Sequence, residues 1–233
     1  MMLKQISSIT TASVVAMTFV VAGEAQAATF ANGFTFSVAS GFDTSIGTHF
    51  HSSTGGAFGN PAGKAEVGNF FSEEVRGLSE YNLSGLGTAT SAFVTFDVFN
   101  NAGLFSGDND FPFTGDIEVV AYEGNNLENI SDYQALSIGT VGTFNTANLA
   151  VGDTLSLDLT SIFNNALTNG LSSLGIRLQS LTDPQGGAWT FDNFRLTTDN
   201  QTTQKVPEPG TIIGLVLVGM GGAALRRAKS KQS

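Results

Sequence analysis

The feature that most constrains the fold of this chain is a series of short segments in which apolar and polar residues alternate. The clearest is Leu155-Ser156-Leu157-Asp158-Leu159, and Phe34–Val38 and Phe93–Phe99 share its period of two. Such alternation places the apolar side chains on one face of a β-strand. The intervals between the segments are rich in Gly, Asn, Ser and Asp, which favour turns. The pattern predicts an all-β domain.

Further strands and a single helix complete this prediction. Thr160 is a candidate N-cap for a short helix over Ser161–Asn169, and Gly170 is a suitable residue to end it. The apolar face of the last strand changes near Asp192-Asn193, which predicts a β-bulge. Many short strands with one helix favour a β-sandwich, for which a jelly roll is the preferred version. The other predicted strands are Val75–Leu83, Ile117–Tyr122, Leu174–Leu178 and Trp189–Leu196, and the long loops are Gly41–Lys64 and Asn100–Gly115.

Composition excludes several classes of function. The chain has no cysteine, so disulfides, thiolate nucleophiles and zinc–thiolate sites are excluded, and its 19 phenylalanines are expected to supply the core. Twenty acidic and ten basic residues give a formal net charge of −10. A domain this acidic is not expected to bind nucleic acid through its overall charge.

The first residues have the pattern of a secretory signal peptide. Lys4 precedes the uncharged run Ile6–Gly23, and the run is followed by Ala25-Gln26-Ala27. This small-x-small tripeptide is the pattern that signal peptidase cuts. We therefore expect residues 1–27 to be removed and the mature chain to start at Ala28.

The last residues contain three parts in a fixed order. Val206-Pro207-Glu208-Pro209 is followed by the uncharged segment Gly210–Leu225 and then by a basic tail that begins with Arg226-Arg227. The two prolines favour an extended backbone around Glu208. The uncharged segment is slightly shorter than a typical membrane-spanning helix, but flanking arginines can extend it by snorkelling. The sequence predicts a transmembrane helix over 210–225, with its basic end in the cytoplasm.

This order resembles the PEP-CTERM sorting signal of Gram-negative bacteria, which a membrane-embedded exosortase recognises. The resemblance implies an exported protein that is anchored briefly in the inner membrane, processed at Val206–Pro209 and then retained at the cell surface or in the extracellular matrix. An ordinary single-pass anchor that is never cut is the alternative. The resulting organisation is a signal peptide over 1–27, a β-sandwich domain over 28–197, a linker over 198–205 and a sorting signal over 206–233.

Two internal segments suggest a fold family. Arg76–Ser84 with Ser91–Phe96, and Leu155–Leu178, resemble the jelly-roll modules of the DNRLRE type. Some of those modules bind polysaccharide, so the resemblance implies a jelly roll that binds extracellular polysaccharide. A sugar would need an aromatic platform, for which Trp189 and Tyr122 are the candidate contacts, although burial of Trp189 in the core fits its neighbours equally well.

Candidate calcium ligands lie in two places. Asp108, Asp110 and Asp116 offer the hard oxygen ligands that calcium prefers, and Asp192 is a second candidate because the jelly-roll resemblance implies a structural calcium near the terminal strands. Aspartates also form turns and bulges without any metal, and we favour that interpretation for Asp192.

Catalytic motifs are weak. His49 and His51 are the only histidines, and we expect them in a solvated loop rather than at a metal site. No G-x-S-x-G motif is present. The acidic cluster Glu73, Glu74 and Glu80 could supply a carboxylate pair for glycoside hydrolysis, but we expect these charges to solvate the surface. The sequence favours a structural or adhesive surface protein, with a carbohydrate-binding module as the alternative and a secreted hydrolase as a weaker third hypothesis.

Overall fold

A computed structural model describes residues 29–31, 33–40, 50–55, 61–71, 73–104 and 109–199. The predicted signal peptide, its cleavage site at Ala28 and the sorting signal lie outside these residues. Within them, no helix is long and apolar enough to cross a membrane. Strands make up most of the described chain, with one α-helix, and the prediction of an all-β fold with one short helix is confirmed.

The described chain contains eleven strands, one α-helix and two short 3-10 helices. The helix α1 spans Thr160–Thr168, and the 3-10 helices span Ile130–Gln134 and Thr146–Asn148. The strands are β1 (Thr29–Phe30), β2 (Gly33–Ala39), β3 (Phe50–His51), β4 (Ala65–Phe70), β5 (Glu73–Asn82), β6 (Ala92–Asn100), β7 (Asp116–Glu123), β8 (Ser137–Asn145), β9 (Thr154–Asp158), β10 (Ser173–Ser180) and β11 (Ala188–Thr198).

Every strand pairing is antiparallel. The main path of the sheet runs β8-β7-β10-β5-β4-β11-β6-β9, and β2 pairs with β5 and carries β3. The path turns a corner at Gly68 of β4, which pairs with Val75 of β5 and with Ala188 of β11. Gly68 has a φ of +150°, and a Cβ there would lie 2.3 Å from the carbonyl oxygen of Gly187. Only glycine fits this corner, because a side chain would collide with the neighbouring backbone.

The sheet folds over so that its two halves enclose the largest of three hydrophobic core clusters. Phe144 of β8 packs against Phe96 of β6 and Phe191 of β11, with ring centroids 6.0 and 5.8 Å away. The two ends of the path also come close, since a Cβ on Gly142 of β8 would lie 3.3 Å from Leu157 of β9. The remaining core comes from the inward rows of the central strands: Val94 and Val98 of β6, Ile117 and Val119 of β7, and Leu174, Ile176 and Leu178 of β10.

Several local predictions are confirmed and others need correction. The pairing register of β11 with β6 shifts between Asp192 and Arg195, and Asn193 has a φ of +50°, so the predicted bulge is present. Gly170 has a φ of +74° and follows the last turn of α1, as expected. Thr160, however, is the first helical residue rather than the N-cap. Its hydroxyl oxygen accepts a hydrogen bond from the Ala92 amide at 2.9 Å, which ties α1 to β6.

Two boundaries also differ from the prediction. The segment Gly41–Lys64, expected to be a loop, contains β3. β11 continues to Thr198, which pairs with Thr29, and the carboxylate of Asp199 accepts hydrogen bonds from the Thr90 and Ser91 amides at 2.9 and 3.1 Å. The last strand therefore extends two residues beyond its predicted end at Leu196.

Candidate functional site

The two aromatic residues predicted to contact sugar are buried. Trp189 is 4 % exposed, and its indole N–H donates to the carbonyl oxygen of Phe113 at 2.8 Å. Tyr122 is fully buried, and its hydroxyl donates to Glu80 at 3.1 Å. The polar atoms of both side chains form hydrogen bonds inside the protein. The expectation that they form a sugar platform is therefore corrected.

The predicted calcium ligands have separate environments. Asp110 is exposed in the loop after β6. Asp116 accepts a hydrogen bond from the side-chain amide of Asn145 at 2.7 Å. Asp192 forms an ion pair with Lys64 at 2.5 Å. Asp108 lies outside the described residues. Among the residues that the structure describes, no three or more His, Asp or Glu side chains are placed to hold a metal ion. Calcium binding by the loop that contains Asp108 stays a prediction.

A buried polar cluster joins three distant parts of the chain. The carboxylate of Glu66 in β4 is fully buried, and Nδ1 of His51 in β3 lies 3.3 Å from its Oε2. The same oxygen accepts a hydrogen bond from the backbone amide of Leu104 at 3.0 Å. The other oxygen, Oε1, accepts from the side-chain amide of Asn109. The expectation of a solvated His51 is wrong, because tertiary folding buries it beside a carboxylate. His49 lies outside the described residues.

This cluster anchors the loop between β6 and β7. Asn109 is fully buried, and its side-chain amide also donates to the carbonyl oxygen of Asn69 at 3.1 Å, while the Gly103 amide donates to the Asn109 carbonyl oxygen at 2.8 Å. The side-chain Oδ1 of Asn109 has no hydrogen-bond partner in the described part of the chain. Burial raises the pKa of Glu66 to about 7, against the lowering effect of the bonds from Leu104 and Asn109. The cluster is therefore a site that can gain or lose a proton near neutral pH.

A second buried carboxylate anchors the loop after β7. Glu80 is fully buried, and its Oε2 accepts hydrogen bonds from the backbone amides of Asn125 and Asn126 at 3.2 and 3.0 Å and from the Ser173 hydroxyl at 3.1 Å. Glu73 is 5 % exposed. The expectation that these charges solvate the surface is therefore wrong for Glu73 and Glu80. Glu80 acts as a structural group whose hydrogen bonds compensate its burial.

Two arginines, Arg76 of β5 and Arg177 of β10, hold the following segment of the loop after β7. Arg177 is 6 % exposed and donates to the carbonyl oxygens of Asp132, Tyr133 and Ala135 at 3.2, 3.1 and 2.8 Å. Arg76 donates to the Tyr133 carbonyl oxygen at 2.8 Å and lies over its ring. These bonds hold the 3-10 helix Ile130–Gln134 against the sheet. They engage Nη1 of both guanidinium groups inside the fold.

The outer face of β9, β6 and β11 is exposed and carries an ordered polar network. Asp97 of β6 accepts two hydrogen bonds from Arg195, at 3.2 and 3.1 Å, and one each from Thr154 at 2.8 Å and Asn193 at 3.1 Å. The hydrogen bonds from Arg195 are the main reason that the pKa of Asp97 is lowered to about 2. Each of the three strands is held at this point by a charge-assisted or hydroxyl contact.

Two phenyl rings flank this network on β6. Phe93 and Phe99 are 38 % and 39 % exposed, on the same outward row as Asp97. They are six positions apart, which is about 20 Å along a strand. Lys64 lies over the ring of Phe99, with its Nζ 3.6 Å from the centroid. We call the row from Phe93 to Phe99 together with Arg195 the β6 face. It offers apolar rings at both ends and hydrogen-bonding groups between them, a combination that suits an extended polyhydroxylated ligand.

No protein-family model matches the chain, and no curated protein is detectably similar to it.

Proposed function

We propose that this chain is an exported cell-surface or extracellular-matrix protein with a structural or adhesive role, processed by an exosortase. The observation that carries the proposal is the ordered sequence of Val206–Pro209, the uncharged segment 210–225 and the basic tail. Signal peptidase would release the chain at Ala28, after Ala25-Gln26-Ala27. The inner membrane would hold it by 210–225 until the exosortase acts near Glu208.

The organisation of the described domain supports a structural role. The chain has no cysteine, so its stability outside the cell depends on packing and hydrogen bonds alone. Two fully buried carboxylates, Glu66 and Glu80, fasten long loops to the sheet. A buried carboxylate with all its partners in place stabilises one loop conformation, because breaking any of the bonds leaves a desolvated group. These contacts suit a durable scaffold, and the proposal assigns no catalytic residue.

The fold within this proposal is a jelly-roll-like β-sandwich. It is supported by the corner at Gly68, where the sheet passes from one half to the other, and by the contacts of Phe144 with Phe96 and Phe191 across the core. This architecture leaves the outer face of each half available for a partner or for covering loops.

A second candidate function is binding of extracellular polysaccharide, and the β6 face favours it. Phe93 and Phe99 are exposed on one strand, and Asp97 and Arg195 between them are fixed by mutual hydrogen bonds. Fixed polar groups lose little conformational entropy when a ligand binds, so such a face is pre-organised. This candidate uses residues different from Trp189 and Tyr122, which are buried.

The intact mass of protein extracted from the cell surface tests the main proposal. We expect a chain that starts at Ala28 and lacks the residues after the Val206–Pro209 motif. Glu208→Ala should cause the uncut form to accumulate in the inner membrane, whereas Glu123→Ala, an exposed acid in the domain, should be processed normally. A surface protein that still contains Arg226 and Arg227 would establish a permanent membrane anchor instead.

A further inference from the structure

A cavity of about 420 Å³ lies between the start of β8 and the C-terminal end of α1. Its lining includes the aliphatic side chains of Ile138, Ile162 and Leu171. Its rim carries three exposed polar residues, Glu123 at the end of β7, Asn165 in the last turn of α1 and Asn169 at the C-cap of α1. A volume of this size, with few polar groups beside aliphatic side chains, is typical of sites for small molecules.

The three polar side chains at the rim have free hydrogen-bonding groups. In the part of the chain that the structure describes, Glu123, Asn165 and Asn169 make no side-chain hydrogen bond to another residue. The neighbouring Asn164 behaves differently, because its side chain accepts from the Ala89 amide at 2.8 Å and donates to the Ala89 carbonyl oxygen at 2.9 Å. Asn164 is thus a structural residue, whereas Asn165 and Asn169 are free to face a ligand.

The electrostatics of the cavity favour a cation. Among the residues that the structure describes, Glu123 is the only charged one that lines it. The C-terminal end of a helix carries a partial negative charge, and the last turn of α1 has no basic residue to neutralise it. The chain as a whole has a formal net charge of −10, which attracts cations and repels anions.

We propose that this cavity binds a protonated primary amine carried on an aliphatic chain. A primary ammonium group has three N–H donors. The rim supplies three acceptors, the Glu123 carboxylate and the side-chain oxygens of Asn165 and Asn169. The aliphatic chain would cover Ile138, which is 45 % exposed, and contact Ile162 and Leu171. A free diamine and a lysine side chain share this chemistry. The inference is independent of the sorting signal and of the β6 face.

Calorimetric titration of the full chain in detergent micelles tests the proposal. The probes are 1,5-diaminopentane and a short peptide with one lysine, with n-pentanol and pentanoate as neutral and anionic counterparts. The test variants are Glu123→Gln and the pair Asn165→Ala with Asn169→Ala. Asp110→Asn is the matched control, because it removes one exposed carboxylate that does not line the cavity. Melting temperatures of all variants verify that the fold is retained.

We expect the diamine to bind, and Glu123→Gln and the double variant each to weaken binding at least tenfold. Asp110→Asn should change the affinity less than twofold. Binding of the diamine alone would assign the site to free amines, and binding of both amine probes would extend it to lysine side chains of a partner. Equal losses in Glu123→Gln and Asp110→Asn would overturn the proposal in favour of general charge attraction. Binding of pentanol as tight as that of the diamine would overturn it in favour of an apolar pocket without a cation site.

Discussion

The Nδ1 atom of His51 lies 3.3 Å from Oε2 of Glu66, and both side chains are almost completely inaccessible to solvent. Burial raises the pKa of the Glu66 carboxyl to about 7, so this group can change its protonation state near neutral pH. The loop between β6 and β7 depends on the same carboxylate through Leu104 and Asn109. Protonation and loop anchoring are therefore coupled at one place in the fold.

The stability of the protein should fall as the pH rises from about 4.5 to about 7. The pKa of Glu66 is raised from 4.5 to about 7 in the folded state by burial. A raised carboxyl pKa means that the folded state holds its proton more tightly than the unfolded chain, so the stabilising contribution is complete below pH 4.5. It is lost progressively up to the folded pKa, with a total on the order of 3 kcal/mol. Urea unfolding at a series of pH values measures this slope.

Glu66→Gln isolates the contribution of this residue to the pH profile. The amide has a similar shape and does not titrate, so the decline between pH 4.5 and 7 should become much shallower. Some slope should remain, because the pKa of Asp132 is raised to about 6, mainly by burial, and acts in the same direction. An unchanged slope in Glu66→Gln would show that Glu66 is not the titrating group.

Asn109→Ala should destabilise the protein by about 2–3 kcal/mol above pH 7, where Glu66 is ionised, because the buried carboxylate then lacks its donor. The substitution removes the hydrogen bonds to Glu66 and to the Asn69 carbonyl oxygen. Hydrogen exchange at the Leu104 amide should accelerate more than exchange in the core of β10. Asn148→Ala is the control, since Asn148 is exposed, and it should change the free energy of unfolding by less than about 0.5 kcal/mol. Equal effects of the two substitutions would contradict the anchoring role.

Calcium should raise the melting temperature if the loop around Asp108 and Asp110 holds the ion. A specific site stabilises by about 2.7 kcal/mol at a hundredfold excess of ligand over the dissociation constant. The measurement compares EDTA, calcium, magnesium and matched sodium chloride. A calcium-selective rise that disappears in Asp108→Ala with Asp110→Ala places the site in this loop. Asp192→Ala should leave this rise in melting temperature unchanged, because the Asp192 carboxylate is already paired with Lys64. Equal shifts with calcium, magnesium and salt would reduce the effect to screening of an acidic surface.

The polysaccharide candidate predicts that Phe93→Ala and Phe99→Ala weaken binding of a neutral glycan without unfolding the protein. Both rings are more than a third exposed, so their removal should cost less stability than a core substitution. The measurement is a glycan array followed by titration with the best neutral oligosaccharide. Phe111→Ala is the matched control, since Phe111 is also exposed but lies in the loop after β6. Equal binding by all three variants and the parent protein would exclude the β6 face as the glycan site.

Strands with a local signal were predictable, and strands that depend on distant partners were not. β6 and β9 alternate clearly because each has one face in the core and one toward solvent. The local pattern does not predict β4, because Glu66 interrupts its apolar residues. Glu66 is nevertheless buried, with hydrogen bonds from Leu104 and Asn109. The local pattern does not predict β8 either, because β8 contains glycines at two positions where α1 and β9 approach closely.

Local sequence patterns do not predict the buried polar cluster around Glu66. His51 precedes Glu66 in a segment without periodicity, and 43 residues separate Glu66 from Asn109. The residues on either side of Asn109, Asp108 and Asp110, predict a calcium site, and nothing in their pattern indicates a structural role for Asn109. Only the burial of the Asn109 side chain against Glu66 reveals its structural role. The predicted sugar platform is wrong because residue type alone does not distinguish an exposed tryptophan from one whose N–H forms a hydrogen bond inside the core.

The position of β11 determines how the domain would respond to mechanical load. β11 is paired with β6 along one side and with β4 and β1 along the other, and Thr198 at its end pairs with Thr29. Tension applied beyond residue 199 would act along this strand, parallel to its length. The hydrogen bonds on both sides would then be loaded together in shear instead of being opened one after another. A protein held by its carboxyl end would in this way resist extension through a strand that is paired along both of its edges.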